Sequence, residues 1–317
     1  MQHWKYTKGL HDLGNGIFAY LQPDGSWGWS NAGLISDGGM TLLVDTLFDL
    51  VLTREMLDAM RLAVPAAGSI DVLVNTHGNG DHWYGNQLVE DAEIIASASC
   101  AEEMKEAPPQ MLASLQKTAP TMGEVGAFFT RCFSPFQFDD IDPVLPTRTF
   151  EGRLDLQVEH KEVRLLEVGP AHTRGDVIVH IPEDRTLFAG DILFIGGTPI
   201  MWVGPVANWI NACDLMLGMD IEKIVPGHGP ITDKRGVMAV KEYFEYLREE
   251  TRRRYEEGMS AAEAALDIDL GRYASWGDPE RIVVNVDTLY REFSGDRTPP
   301  NALALFEGMA SYPKRQK

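Results

Sequence analysis

The sequence predicts an α/β fold in which strands and helices alternate around one core, followed by a helical C-terminal part. Short apolar runs bounded by glycine or proline, typical of buried strands, alternate with segments of helical periodicity. The chain has 317 residues, of which 44% are hydrophobic, and it contains no low-complexity run. It is therefore long enough and apolar enough for one compact unit of the α/β sandwich type with an added C-terminal part.

The N-terminal part is predicted to begin with a pair of strands. Residues 16–21 and 32–36 are apolar, and the turn-rich stretch 23–28 separates them. The next strand covers residues 40–46. Residues 52–63 then predict an amphipathic helix that packs on the sheet, because apolar residues recur there at helical spacing among charged ones.

Further strands are predicted where apolar or alternating runs end at glycine or proline, at 70–75, 163–168, 177–181, 186–188 and 223–225. Metal-ligating residue types stand close after the ends of these strands. Because a strand is a rigid support, side chains placed at its end are well positioned for an active site.

The most informative stretch is His77-Gly78-Asn79-Gly80-Asp81-His82, which places two imidazoles, a carboxylate and an amide in six residues. These groups can each donate a lone pair to a divalent cation, and one tight turn brings them together at little cost in loop-closure entropy. Glycine between the ligands lets the backbone adopt strained angles. A polar turn whose histidines only cap backbone groups is the alternative interpretation.

Three later fragments each set another ligand-type side chain at the end of a strand. They are Gly169-Pro170-Ala171-His172-Thr173-Arg174-Gly175-Asp176, Leu187-Phe188-Ala189-Gly190-Asp191-Ile192-Leu193-Phe194 and Ile224-Val225-Pro226-Gly227-His228-Gly229-Pro230. The ordered series of a histidine motif, GxxHTxGD, AGD and PGHG resembles the metallo-β-lactamase fold superfamily, over about residues 12–230. The resemblance implies an αββα sandwich, with a catalytic domain over residues 1–235.

The same resemblance implies a two-metal site, residue by residue. His77, Asn79 and His172 correspond to the first metal site, Asp81, His82 and His228 to the second, and Asp191 bridges them. Asp45, at the end of the strand over 40–46, corresponds to an aspartate that buttresses the metal loop.

Asn79 departs from the superfamily pattern, which has histidine at that position. An amide oxygen is a neutral, weaker and harder donor than imidazole, so the first site is expected to bind Zn²⁺ less tightly, or to prefer Mn²⁺ or Fe²⁺. The second site is expected to hold one tight Zn²⁺. The Asn79 amide could instead hydrogen-bond to the attacking water, and both roles stay open here.

Two apolar regions are candidates for the substrate pocket. An insertion at about 100–150, rich in Met and Phe, is either ordinary packing or a lid over the metal cleft. The loop that follows Asp191 contains further apolar residues among glycines and prolines. The predicted substrate-binding residues are Trp83, Tyr84, Met201, Trp202 and Trp209, which together indicate an apolar or aromatic substrate.

Residues 236–317 are predicted to form a helical extension packed on the catalytic domain. Apolar residues recur there at three- and four-residue spacing, and Glu249–Arg253 and Glu250–Arg254 stand at ion-pair spacing. Ser260 to Glu263 forms a capping-box pattern, and Asp278-Pro279 is expected to start another helix. These helices either cover the sandwich or make a homo- or hetero-oligomer interface.

The net charge and the number of cysteines indicate which binding partners and which cellular compartment to expect. The formal charge of −19 opposes binding to nucleic acid or to an anionic membrane. The first residues lack the apolar core of a signal peptide, and no apolar run reaches membrane-spanning length. The expected location is therefore the cytoplasm. Cys100, Cys132 and Cys213 are too few and scattered for a disulfide framework and are expected to be small core residues.

The motifs predict a metal-dependent hydrolase. A divalent metal lowers the pKa of bound water, so hydroxide becomes the nucleophile, and Asp81 and Asp191 are the catalytic candidates that orient it and move its proton. The sequence has no G-x-S-x-G elbow or P-loop pattern to support a rival mechanism. The expected substrate is ester-like: a thioester, lactone or aryl ester. An activated aryl ether is one alternative, and a metal-poor, non-catalytic subunit that supports a homologous partner is another.

Overall fold

The computed structural model describes residues 4–313, and two β-sheets packed face to face form its centre. The first sheet contains, in spatial order, β1 (Gly9–Gly14), β2 (Ile17–Leu21), β3 (Ala32–Asp37), β4 (Met40–Val44), β5 (Val72–Val74), β6 (Glu93–Ser97) and β7 (Arg148–Phe150). The second contains β8 (Arg153–Val158), β9 (Lys161–Glu167), β10 (Val177–Ile181), β11 (Thr186–Phe188) and β12 (Lys223–Val225).

The helices lie outside the two sheets. Their bounds are α1 (Leu50–Ala63), α2 (Ala98–Glu106), α3 (Pro109–Thr118), α4 (Gly123–Phe133), α5 (Val206–Gly218), α6 (Lys234–Glu256), α7 (Ala261–Asp267), α8 (Ile282–Ser294) and α9 (Ala302–Ser311). The order and placement of these elements confirm the predicted αββα sandwich with C-terminal helices. None of the helices within residues 4–313 is long and apolar enough to cross a bilayer.

Three hydrophobic clusters explain why the layers stack. Between the sheets, alternate residues such as Ile35 and Val44 pack against Val163 and Val179 of the other sheet. The outer face of each sheet, which the helices cover, is also apolar, so the central strands are buried on both sides. The first sheet is covered by the apolar stripe of α1, and the second by α5 and α6.

Strand direction brings the candidate site residues to one edge. Strands β4, β5, β6 and β7 pair in parallel, and so do β11 and β12. The carboxyl ends of parallel strands meet at one edge of a sheet, so Asp45, His77, Asp191 and His228 leave their strands on the same side of the sandwich. This shared edge positions the metal motifs.

Several local predictions hold, with adjustments. The capping box at Ser260 and Glu263 is present, and all three cysteines are free and buried. Arg254 pairs with Glu250 as expected, with 2.8 Å between nitrogen and oxygen. Arg253, however, pairs with Glu250 instead of the predicted Glu249, with 2.6 Å between Nη2 and Oε2. The helix predicted to start at Asp278 is preceded by a single 3-10 turn over Pro279–Arg281, and α8 itself begins at Ile282.

Candidate metal centre

Four histidines and two aspartates converge at the shared strand edge. His77, His172 and Asp191 form one buried group, and Asp81, His82 and His228 form another, with the ligand atoms of each group within 4.8 Å of one another. The structure therefore brings together six of the seven residues predicted to bind metal. The seventh, Asn79, lies beside His172.

Asp191 lies between the two groups. Its Oδ2 is 3.7 Å from His77 Nε2 and 3.4 Å from His172 Nε2. The same carboxylate is 3.1 Å from His82 Nε2 and 3.4 Å from His228 Nε2. Its position requires glycine at 227, where a Cβ would come within 1.8 Å of Asp191 Oδ1. One carboxylate therefore reaches donors of both groups.

Each histidine is oriented by a hydrogen bond at its other ring nitrogen. The Nδ1 atoms of His82 and His77 lie 2.9 Å from Asp45 Oδ2 and 3.0 Å from Thr76 Oγ1. Those of His172 and His228 lie 2.6 Å from the Ile200 carbonyl and 3.1 Å from the Gly25 carbonyl. A proton on Nδ1 satisfies all four contacts and leaves the Nε2 lone pairs directed at the centre, which is how histidine ligands are held in metal sites.

Asp45 supports both groups through this network. Besides accepting from His82, it accepts at 2.7 Å from the Thr76 backbone N–H and at 2.7 Å from the Thr76 hydroxyl, whose oxygen in turn lies beside His77. Asp45 has a φ of 61°, a left-handed conformation that costs energy for a residue with a Cβ. This conformation turns the chain at the end of β4 and brings the carboxylate to Thr76 and His82.

Asn79 faces His172 with 2.7 Å between Oδ1 and Nε2. Burial lowers the pKa of His172, so its ring is neutral near pH 7. Its Nδ1–H donates a hydrogen bond to the Ile200 carbonyl. Nε2 and Oδ1 then both present lone pairs. Two lone pairs at this separation repel, and a metal ion bound by both atoms would offset the repulsion, so the two atoms form a candidate ligand pair.

The charges of the centre also fit divalent cations. Burial opposes ionisation of Asp81, but the neighbouring imidazoles of His228 and His82 hold its pKa at about 2. Burial likewise opposes ionisation of Asp191, yet His228, His82 and His77 hold its pKa well below the ordinary value. Among the described residues, His77 Nε2, His82 Nε2 and Asp191 Oδ1 are buried without a hydrogen-bond partner. Buried polar atoms of this kind are ordinarily satisfied, and metal ions would satisfy them.

A cleft with mainly aromatic walls leads to the cluster. Its floor includes Asn79, Asp81, His172, Asp191 and His228, and its volume is about 180 Å³. The walls are formed by large apolar side chains and one cation: Trp27, Phe48, Tyr84, Met111, Leu112, Phe133, Phe194, Ile200, Trp202, Phe306 and Arg281. The predicted insertion contributes Met111, Leu112 and Phe133 to one wall.

Two of the five predicted substrate residues, Tyr84 and Trp202, line this cleft. Trp83, Met201 and Trp209 do not, because all three are fully buried in the core. The indole N–H of Trp83 donates to the Gly78 carbonyl at 3.0 Å, and that of Trp209 to the Ile192 carbonyl at 3.0 Å. These tryptophans therefore brace the loops that carry the ligands instead of facing a substrate.

The cleft residues that sequence reasoning missed include Trp27, Phe194, Arg281 and Phe306. Phe194 stands in the AGD fragment, and its ring lies parallel to that of His228, with the two centres 5.0 Å apart. Its closeness to Asp191 in sequence was a usable signal. Trp27, Arg281 and Phe306 come from a turn and from the C-terminal helices, and no local pattern marks them as neighbours of the metal ligands.

An αββα sandwich with two adjacent His/Asp groups at one strand edge is an arrangement able to hold metal beside a cleft. Residues 25–228, more than half of the chain, match the family model described as the metallo-beta-lactamase superfamily. The chain belongs to that superfamily, as its motif order predicted.

Its relatives differ in their named activities. The chain is 34% identical over 94 residues to the 2,4-dinitroanisole O-demethylase subunit alpha of Nocardioides sp. (strain JS1661), which covers 27% of each protein. It is 26% identical over 227 residues to the acyl-coenzyme A thioesterase MBLAC2 of Gallus gallus, covering 68% of this chain and 78% of the relative. These likenesses, with the family, support the prediction of a hydrolase.

Solved structures share the fold at low identity. The sec-alkylsulfatase Pisa1 from Pseudomonas sp. superposes with a TM-score of 0.69 and 17% identity, over 93% of this chain and 51% of that one. The DIM-1 metallo-beta-lactamase superposes with a TM-score of 0.54 and 18% identity, over 74% of this chain and 96% of that one. The wider coverage by Pisa1 extends the likeness into the C-terminal helices.

Proposed function

We propose that the protein is a metal-dependent hydrolase of apolar, ester-like substrates such as thioesters, lactones or aryl esters. The observation that carries this proposal is the set of inward-facing imidazole and carboxylate atoms at the floor of an aromatic cleft. Such a set suits divalent cations next to a small organic molecule.

The first metal position would be held by His77, Asn79, His172 and Asp191, and the second by Asp81, His82, His228 and Asp191. We expect Zn²⁺ at the second, and Zn²⁺, Mn²⁺ or Fe²⁺ at the first. When bound, these ions lower the pKa of a coordinated water and polarise the electrophile.

The side chains of the protein supply orientation and proton transfer. Asp81 is the most exposed of the histidine and aspartate ligands, its side chain being 14% exposed, and its ionised carboxylate can accept a hydrogen bond from the attacking water. Asp191 reaches both positions and is the second candidate for moving a proton. The aromatic walls exclude bulk water, which strengthens the electrostatic interactions of both carboxylates.

Cleft size and wall chemistry restrict the substrate. A volume of about 180 Å³ is below the range of roughly 300–1,000 Å³ that drug-sized ligands occupy, so one aromatic ring or a short acyl chain fits. In an acyl-coenzyme A thioester, only the acyl end would enter. The thioesterase named among the relatives makes thioesters the first class to test.

An activated aryl ether is the second candidate substrate. The demethylase relative acts on 2,4-dinitroanisole by name, and the aromatic walls favour a flat ring. The same relative is named as a subunit, so an oligomer with a second chain is part of this alternative. In a non-catalytic supporting subunit, metal content would be low.

Elemental analysis of the purified protein, combined with a substrate panel, tests the proposal. The panel contains thioesters, lactones, aryl esters and 2,4-dinitroanisole, assayed before chelation, after chelation and after metal is restored. We expect ester hydrolysis that disappears with the metal and returns with it. Full activity in protein shown to be metal-free would refute metal dependence, and bound metal without hydrolysis of any panel member would refute the substrate class.

A further inference from the structure

Arg281 is a buried cation in the wall of the metal cleft. Arg281 is only 2% exposed to solvent. It lies in the turn just before α8, far in sequence from the metal motifs. Arginine is rarely buried to this degree unless its charge and its donors are used. The donors of Arg281 are only partly used.

Two contacts fix the guanidinium in place. Nη1 donates to the Thr198 carbonyl at 3.0 Å, and Nη2 lies 3.2 Å from Asp278 Oδ2. Asp278 is itself held by the Ser26 hydroxyl, which donates to its Oδ1 at 2.7 Å. The group is therefore preorganised, and a ligand would meet it without ordering a flexible side chain.

One buried donor is left over. Arg281 Nε has no hydrogen-bond partner within residues 4–313 and is shielded from solvent. An unmade hydrogen bond of a charged, buried group costs more than that of a neutral one, so the position favours a ligand that brings an acceptor.

Two aromatic rings of the cleft wall lie against the guanidinium. The Arg281 Cζ lies 4.5 Å from the ring centre of Trp27 and 5.2 Å from that of Phe194. Phe194 in turn lies parallel to His228, a predicted ligand of the second metal, at an interplanar angle of 5°. Arg281 is thus one ring away from the metal centre, on the same cleft.

We propose that Arg281 is a specificity-determining residue that binds an anionic oxygen group, a carboxylate or sulfonate, carried by the aromatic or acyl part of the substrate. The proposal deepens the proposed function and rests on it for the reaction. It narrows the expected substrate from an apolar molecule to an apolar molecule with one anionic end. A guanidinium suits such a group because a hydrogen bond between an ionised donor and an ionised acceptor is stronger than one between neutral groups.

A pair of probes of similar shape, one anionic and one neutral, tests the binding step without turnover. Benzenesulfonate and methyl phenyl sulfone are titrated by calorimetry into the metal-loaded, full-length protein and its variants Arg281→Met and Arg252→Met. Arg252 is the matched control, because its Cζ also lies over an aromatic ring, 3.5 Å from the centre of Phe293, and it does not line the cleft.

We expect the wild type and Arg252→Met to bind the sulfonate roughly tenfold or more tightly than the sulfone, and Arg281→Met to lose this preference. Equal affinity for the two probes in the wild type would overturn the proposal. A preference kept by Arg281→Met would also overturn it, because the sulfonate would then be bound elsewhere, for instance at the metals. If Arg281→Met fails to fold with Asp278 unpaired, the double variant Arg281→Met/Asp278→Asn replaces it.

Turnover separates this proposal from the proposed function. The substrates are 4-acetoxybenzenesulfonate and its neutral analogue 4-(methylsulfonyl)phenyl acetate. We expect Arg281→Met to raise KM for the anionic ester more than it lowers kcat, and to raise KM for the neutral ester less. Arg252→Met, which lies outside the cleft, is expected to leave both esters unchanged. A probe preference that depends on Arg281, without hydrolysis of either ester, would uphold the binding site and refute ester hydrolysis.

Discussion

The two donor groups of the metal centre share Asp191 but differ in charge and in support. The second group combines the Asp81 carboxylate with two imidazoles, whereas the first has two imidazoles and the neutral Asn79 amide. His82 is oriented by a carboxylate, while His77 is oriented by a hydroxyl and His172 by a backbone carbonyl. A carboxylate partner raises the basicity of an imidazole ligand more than a neutral partner does.

This difference in donors leads us to expect that the two positions, which share Asp191, bind metal with unequal affinity. An anionic donor and a carboxylate-supported histidine both favour a cation at the second position. We therefore expect the second ion to bind tightly and the first to exchange. Four substitutions test this difference in metal affinity, and they are given in order of decreasing expected effect.

His228→Ala removes an imidazole from the stronger group. We expect most bound zinc to be lost and kcat/KM to fall by at least about a hundredfold, more than the 10–100-fold typical of losing an outer support. The measurements are zinc content and hydrolysis rate. His160→Ala is the matched control, because the His160 side chain is 87% exposed and pairs only with Asp37 among the described residues. Equal zinc in both variants would contradict the assignment of the strong site.

Asp45→Asn weakens the support of both groups while leaving every ligand in place. We expect the affinity for both ions to fall roughly 10–100-fold, with the larger loss at the second site, since His82 contacts Asp45 directly. Competition with a chelator of known affinity measures this. Asp71→Asn is a suitable control, because Asp71 accepts from Thr41 at the opposite end of β4. A larger loss at the first site would reverse the proposed asymmetry.

The fold could be predicted from the sequence because its signals are local. The strands at 177–181, 186–188 and 223–225 have the predicted bounds, since each is a short apolar run between turn-forming residues. The helix α1 begins at Leu50, two residues before its predicted start, because the Asp49 side chain caps it. The capping residue lies outside the apolar periodicity that located the helix.

The cleft walls could not be predicted in the same way. Adjacency to His82 suggested that Trp83 faces the substrate, but its indole turns into the core to bind the Gly78 carbonyl. Sequence neighbours on a tight turn point in different directions, so closeness along the chain does not give closeness in the cleft. Arg281 and Phe306 reach the cleft only through the packing of the C-terminal helices, a long-range contact that no periodicity encodes.

Asn79→His restores the imidazole that the superfamily pattern has at the weaker site. We expect the affinity of the first site for zinc to rise about tenfold or more, so that two ions stay bound after dialysis instead of one. Calorimetric titration of the metal-free protein with zinc measures both steps. A wild type that already retains two tightly bound ions, unchanged by the substitution, would show that the amide does not weaken the first site.

Thr76→Val makes the smallest change, because it removes one hydroxyl from the support of the weaker group and keeps the side-chain shape. The hydroxyl lies beside His77 Nδ1 and donates to Asp45, whereas His82 keeps its own contact with Asp45. Loss of one such hydrogen bond costs about 1 kcal/mol, so we expect roughly a fivefold loss of affinity at the first site and little change at the second. The same zinc titration resolves the two steps. Equal weakening of both sites would mean that the Thr76 hydroxyl acts mainly by fixing the Asp45 carboxylate, and the two groups would then share one support instead of having separate ones.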